Sequence, residues 1–271
     1  MDKPKADPTI HRRAILAVAA AAITGAQAPV QDSWPSLAPE IFGDRAIADG
    51  SSVLGIDAPY RAEDAAVVPI TIRSLLSATD GRGIRSLTLV IDENPSPLAA
   101  VLKPGPASGL TALSTRVRID SYTNVTAVAE LDDGRLYVAQ RFVKAAGGCS
   151  APAARLEADA TPVGEMRFRQ FTAASGVPSG RGEAQLMIRH PNYSGMQMDQ
   201  VSRLYVPAQF VKSVRIWQGA ELLLTIEAGI SISENPTFRF DYRPNGAATF
   251  RAEAEDSDGK IFRQEWPATA S

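Results

Sequence analysis

Apolar and polar residues alternate with a period of two along much of the chain, in short runs ended by turn residues. "RSLTLVIDENPSP" alternates and stops at Asn94-Pro95. In "LSTRVRIDSYTNVTAVAELDDGRLYVAQRFVKA" the period returns at Val117 and Ile119, then at Val125, Ala127 and Ala129. Asp133-Gly134 follows as a hairpin turn before Leu136 and Val138. Gln218-Gly219 and Asn235-Pro236 divide a later stretch into short strands, and Asp258-Gly259 predicts the last hairpin. The main helical candidate, "EDAAVVPITIRSLLS", is interrupted by Pro69, which favours a strand there. Short strands with turns at this spacing predict an all-β protein built from β-sandwiches.

A weak internal repeat points to two of them. Glu93-Asn94-Pro95-Ser96 resembles Glu234-Asn235-Pro236-Thr237, and the stretch around Asp133-Gly134 resembles that around Asp258-Gly259. If the copies align, the first carries about 16 extra residues around "KPGPASGLTA". Between the copies, "GGCSAPAARLEADATPVGE" is rich in Ala, Pro and Gly and has no apolar period, so it reads as a linker. The predicted organisation is a first sandwich over 33–150, a linker over 151–165 and a second sandwich over 166–271.

The N-terminus departs from this pattern. "HRRAILAVAAAAITGAQA" has two arginines, an apolar run and small residues, the order of an export signal over 1–28. Arg12-Arg13 suits a twin-arginine signal, with cleavage after Ala28 or Ala26. The apolar run is too short to span a membrane, so a periplasmic mature protein is expected. A net charge of -2 argues against a nucleic-acid partner, and 45% hydrophobic with 21% charged residues is ordinary for a globular chain.

Chemistry narrows to one residue. Cys149 is the only cysteine, on "FVKAAGGCSAP" where the chain leaves the first sandwich. Gly147 and Gly148 widen the allowed backbone and predict a thin, mobile arm with an accessible thiol. A cysteine nucleophile needs a base, and His11 leaves with the signal, so His190 is the one candidate partner. One cysteine and one mature histidine give no zinc spacing. "LDDGR" and "EDSDG" lack the alternating oxygens of a calcium loop and read as hairpin turns. Met187, Met196 and Met198 read as core or partner-facing residues. No cofactor is implied.

At "FVKAAGGCSAP" the chain resembles SoxY, the sulfur-oxidation carrier whose C-terminal Gly-Gly-Cys arm holds substrate. "IDAPYRAEDAAVVPITI" is similar to an upstream part of SoxY. "RHPNYSGMQMDQ", "YVPAQFVKSVRIWQG" and "GISISENPTFRFDY" resemble its partner SoxZ. The nearest resemblance is to fused SoxYZ-like carriers associated with quinoprotein dehydrogenases. It implies two immunoglobulin-like sandwiches paired within one chain, with no turnover of their own. It further implies Cys149 as the attachment residue, Gly147 and Gly148 as its flexible approach, and periplasmic partners: cytochromes, sulfur-oxidising enzymes or a quinoprotein dehydrogenase. Unlike the family's free arm, Cys149 is followed by Ser150-Ala151-Pro152 and a further domain, so the arm is tethered at both ends. Two rival readings stay open: an accessory module that binds partners without covalent cargo, and a thiol enzyme using Cys149 and His190.

Overall fold

A computed structural model describes residues 32–77, 79–152, 162–171 and 180–269. The predicted export signal lies outside these residues, as does most of the predicted linker. Among the described residues there are one helix, α1 (Trp34–Phe42), and fifteen strands. The first half holds β1 (Ile47–Asp49), β2 (Leu54–Asp57), β3 (Val68–Ser74), β4 (Ile84–Ile91), β5 (Leu98–Pro104), β6 (Ala112–Val117), β7 (Thr123–Leu131) and β8 (Leu136–Val143). The second half holds β9 (Met166–Phe171), β10 (Gly182–Ile188), β11 (Val211–Gln218), β12 (Glu221–Ala228), β13 (Thr237–Tyr242), β14 (Thr249–Asp256) and β15 (Ile261–Pro267).

Each half is a sandwich of three strands on four. In the first, β2-β3-β6 faces β5-β4-β7-β8, with β1 added in parallel to β8. In the second, β13-β10-β9 faces β12-β11-β14-β15. The halves are not merely docked, because their sheets are continuous. β5 pairs antiparallel with β12, from Ala100↔Ala228 to Pro104↔Leu224, giving a nine-stranded sheet. β6 pairs with β13 through Ser114↔Arg239 and Leu113↔Phe240, giving a six-stranded sheet opposite. One apolar core therefore runs through both halves, from Leu87, Leu89 and Ile91 across Leu102 and Ile226 to Ile216, Phe240 and Phe250. Joining edges in both layers also removes two pairs of exposed strand edges, which are otherwise templates for aggregation.

Read outward from this junction, strand order gives a one-to-one match of β2–β8 with β9–β15, the mark of a duplicated unit. This match corrects the sequence repeat. Asp133-Gly134 joins β7 to β8 and Asp258-Gly259 joins β14 to β15, so those turns are equivalent. The two Glu-Asn-Pro stretches are not. The first sits between β4 and β5, whereas the second sits between β12 and β13, one connection later. The apparent insertion around "KPGPASGLTA" follows from that misalignment, since the β5–β6 and β12–β13 connections are of similar length. Pro69 lies on β3, opposite Arg116, so the helical candidate is a strand, as its proline indicated.

The helix α1 places Trp34, Leu37, Ala38, Ile41 and Phe42 at helical spacing. It starts with a proline in its first turn and ends at Gly43, whose positive φ of 64° lets its N–H reach the Pro39 carbonyl. No helix among the described residues is long and apolar enough to cross a membrane.

Candidate functional site

The site lies at one pole of the junction, where the chain leaves β8. After Val143, Lys144 makes a parallel bridge with Arg61, and its N–H reaches the Tyr60 carbonyl at 2.8 Å. The chain then turns against the β6–β7 connection. Gly147 N–H donates to the Asp120 carbonyl at 2.8 Å, and Gly148 N–H to the Ile119 carbonyl at 2.9 Å. Ser194, from the second half, donates its hydroxyl to the Cys149 carbonyl.

Cys149 is consequently buried, at 1% exposure. This corrects the expected accessible thiol on a mobile arm. The same observation changes the part played by the glycines. Gly147 has φ +79° with open space around it, so it supplies a left-handed turn. A side chain at Gly148 would begin 2.0 Å from the Ala65 carbonyl oxygen and 2.7 Å from that of Ile119. Gly148 therefore permits close docking of backbone on backbone. The pair reads as flexible in sequence because both demands, a positive φ and a close approach, are met by glycine.

The thiol's surroundings explain its chemistry. Burial pushes the Cys149 pKa up to about 12; Asp120 adds to the rise, and the Arg118 guanidinium opposes it. Docked, the residue is a protonated, unreactive thiol, since the thiolate is the nucleophile. Arg118 is itself fully buried. Its Nη1 donates to the carbonyls of Ile232 (2.7 Å) and Ile230 (3.3 Å), and its Nη2 lies 3.5 Å from that of Pro191. Burial lowers its pKa, while the nearby Cys149 and Glu234 would raise it if charged. Arg118 is thus a cation solvated by neutral carbonyls, and negative charge gained at Cys149 would find it in place.

The polar web around Arg118 ties the halves together. Asn94 donates to the Arg118 carbonyl (2.8 Å) and to Ser231 Oγ (2.9 Å), and its own Oδ1 accepts from Asp120 N–H at 2.8 Å. Arg118 N–H donates to the Ser231 carbonyl, beside an antiparallel bridge between Val117 and Ile232. The sequence showed Asn94 only as a turn signal, placed Ser194 inside the SoxZ-like stretch "RHPNYSGMQMDQ" without a role, and did not mark Arg118. Arg118 alternates with Val117 and Ile119 and so reads as a solvent-facing position, which is why its burial is not legible in the sequence.

His190 is also buried, but it serves another structure. Its Nδ1 accepts from Asn192 N–H at 3.0 Å, and its Nε2 lies 3.6 Å from Asp256 Oδ2. Its ring packs edge-on against Phe262. Burial lowers its pKa, against the opposing pull of Asp256. None of its hydrogen bonds reaches Cys149, so the thiol–imidazole pair of the rival enzyme reading is not assembled. Met187 is half-buried on β10, and Met198 is exposed. Among the described residues, no group of three or more His, Cys, Asp or Glu side chains could hold a metal ion.

Beyond Ser194 the chain projects a structured loop. Bridges at Tyr193↔Gln209 and Met198↔Tyr205 hold its stem, and Asp199 Oδ1 accepts from the N–H groups of Val201 and Ser202. Its tip exposes Val201 (81%), Leu204 (69%) and Tyr205 (66%). Adjacent exposed apolar side chains of this size mark contact surfaces.

Comparison with known proteins identifies both halves separately. Residues 38–149 match the family of the sulfur oxidation protein SoxY, and residues 173–267 match that of the sulphur oxidation protein SoxZ. The first match ends on Cys149. The solved structure of the sulfur carrier protein SoxY from Chlorobium limicola f thiosulfatophilum shares 27% identity. It covers 41% of this chain and 94% of that one, with a TM-score of 0.34. A superoxide reductase (neelaredoxin) from Ignicoccus hospitalis shares 13% identity, covering 41% of this chain and 90% of that one, with a TM-score of 0.29. No curated protein matches the chain.

Proposed function

Since the chain belongs to the SoxY family through residues 38–149 and to the SoxZ family through residues 173–267, we propose that it is a fused sulfur carrier whose Cys149 holds the cargo covalently. The observation that carries this reading is the position of Cys149. It is the chain's only thiol, at the last residue of the SoxY match, on a turn that docks against the SoxZ half.

The carrier works by undocking. Release of the turn breaks the bonds from Gly147, Gly148 and Ser194, each worth a net ~1 kcal/mol, and exposes a small buried side chain. The cost of roughly 3–4 kcal/mol leaves about 0.1–1% of molecules released. A released thiol returns towards an ordinary cysteine pKa and reacts as thiolate. Residues 145–149 then reach at most about 17 Å from the anchored Lys144. Thiosulfate is the proposed cargo. Joining the Cys149 thiolate to its outer sulfur forms one S–S bond and passes two electrons to a redox partner, a cytochrome by class. The adduct keeps one negative charge on its sulfonate, which suits the field of Arg118.

The Arg12-Arg13 leader supports a periplasmic setting for this exchange. The apolar tip at Val201, Leu204 and Tyr205 is the proposed contact for the partner, whether a sulfur-oxidising enzyme or a quinoprotein dehydrogenase. That tip also favours a second reading, an accessory module without covalent cargo. Replacing Cys149 with Ser in the host separates the two. The carrier reading expects loss of thiosulfate-dependent respiration with the protein still abundant. The accessory reading expects respiration to survive C149S and to fail with Leu204→Asp.

A further inference from the structure

The junction has a second pole, opposite Cys149, and it holds a cavity of about 550 Å³. Arg118, beside the thiol, and Thr111, on the cavity wall, stand at opposite ends of β6, about 23 Å apart along the strand. The wall is made by both halves: the ends of β3 to β6 from the first, and Arg181 and Arg243 from the second.

Its charge is one-sided. Arg82, Arg85, Arg181 and Arg243 line it, against one lining carboxylate, Asp132. Asp132 is committed to the Gly83 N–H at 2.8 Å. Three of the guanidiniums have acidic partners: Arg82 pairs with Asp80 and Asp133, Arg85 lies 3.9 Å from Glu130, and Arg181 Nε donates to Asp241 at 2.8 Å. Asp241 is saturated, accepting also from Thr111 N–H and hydroxyl and from Ala112 N–H.

Arg243 has no such partner. Its backbone N–H bonds to the Ser108 carbonyl, and its guanidinium makes no hydrogen bond or ion pair among the described residues. It nevertheless points at the same place as Arg181. The point where a side chain at Gly109 would begin lies 3.4 Å from Arg181 Nη1 and 3.6 Å from Arg243 Nη2. The two nitrogens are therefore no farther than about 7 Å apart, and the bare glycine leaves the space between them clear. Arg181 is paired with Asp241 and Arg243 is exposed, so the two guanidiniums coexist without a counter-ion, but the uncompensated charge leaves a positive potential that attracts an anion into the space between them.

We propose that this cavity binds a small tetrahedral oxyanion, of the sulfate, thiosulfate and phosphate class, between Arg243 and Arg181. The unpaired Arg243 guanidinium can hold such an anion bidentately, and Arg181, whose Nε and Nη2 are taken by Asp241 and the Gly109 carbonyl, adds its Nη1. Arg181 and Arg243 belong to the second half and the facing wall to the first, so the bound anion clamps the junction. The site is independent of the thiol and of the carrier reading.

The experiment titrates purified C149S protein with sulfate, thiosulfate or phosphate against chloride at matched ionic strength, by calorimetry and thermal melting. The expected result is one saturable site per chain, with a rise in Tm that chloride does not reproduce. Arg243→Gln, an exposed position whose side chain holds nothing in place, is expected to melt normally without anion and to bind at least tenfold more weakly. Arg85→Gln changes affinity less than threefold. Tighter binding of thiosulfate marks the site as selective for a sulfur substrate, and equal binding of all three oxyanions marks a general anion clamp. Equal effects of chloride, or unchanged binding by R243Q, would overturn the proposal. Failure of C149S in the host leaves this result untouched.

Discussion

The hydroxyl of Ser194, in the second half of the chain, donates a hydrogen bond to the carbonyl of Cys149, in the first. That bond closes the second half over the thiol and makes the reactivity of Cys149 a property of the junction. In the unloaded protein, alkylation of Cys149 should be slow and limited by release of the turn. Ser194→Ala removes about 1 kcal/mol of docking and should speed alkylation roughly fivefold without changing the fold, as read by mass spectrometry over time.

Gly148 is the steric requirement for the same docking. Gly148→Ala places a methyl 2.0 Å from the Ala65 carbonyl oxygen. The turn must move, at a cost of about 1–3 kcal/mol. Alkylation should rise roughly five- to 150-fold for that cost. Gly147→Ala meets no atom but is strained by its φ of +79°, at about 1–2 kcal/mol, and should also speed alkylation. An unchanged alkylation rate in Gly148→Ala would show that close approach is not what holds the turn.

The pH dependence of docking follows from the thiol. Its docked pKa, about 12, lies above its ordinary value near 9. The docked state therefore binds more protons between these values. Its advantage is full below about pH 9 and declines as pH rises towards 12. Hydrogen exchange at Gly147 and Gly148, corrected for its intrinsic pH dependence, should report opening in that window and not between pH 6 and 8.

Two further buried groups titrate in the opposite direction from each other. Asp92, at the end of β4, is pushed up to about 7, by burial first. Its contribution to stability is present below its ordinary value near 3.8 and lost as pH rises through 7. Asp92→Asn should match the parent near pH 4 and melt higher by roughly 5 °C at pH 8. The His190 pKa is lowered by burial, so its contribution is present above 6.5 and lost as pH falls. Acid should loosen the Asn192–Gln197 segment first, which hydrogen exchange at Asn192 and Ser194 can follow.

Continuous sheets make the halves one cooperative unit. Both junctions, β5 with β12 and β6 with β13, lie inside the shared core. Calorimetry should show one transition whose van't Hoff and calorimetric enthalpies agree. Two resolved transitions would mean that the halves fold apart.

Much of this architecture is legible in the sequence, and the exceptions have physical causes. The strands around Leu87 and Val125 and the turns at Asp133-Gly134, Gln218-Gly219 and Asp258-Gly259 stand out because period-two alternation and left-handed turn residues are local signals. The pairing of Ala100 with Ala228 is not local, and nothing in either strand encodes it alone. The Glu-Asn-Pro stretches misled because they share a turn chemistry, not a place in the fold. For the site, composition identified Cys149 but not its burial. Burial depends on Arg118, Ile119 and Ser194, which are distant in sequence, and although Ser194 lies in the SoxZ-like stretch, nothing local says that it meets Cys149.

The central claim is that Cys149 carries sulfur, and intact mass tests it most directly. Protein is isolated from its host during growth on a reduced sulfur compound and weighed before and after a reductant. The account predicts an adduct of sulfur or thiosulfate mass, localised to Cys149 and removed by reduction. A bare thiol at Cys149 under every growth condition would contradict it.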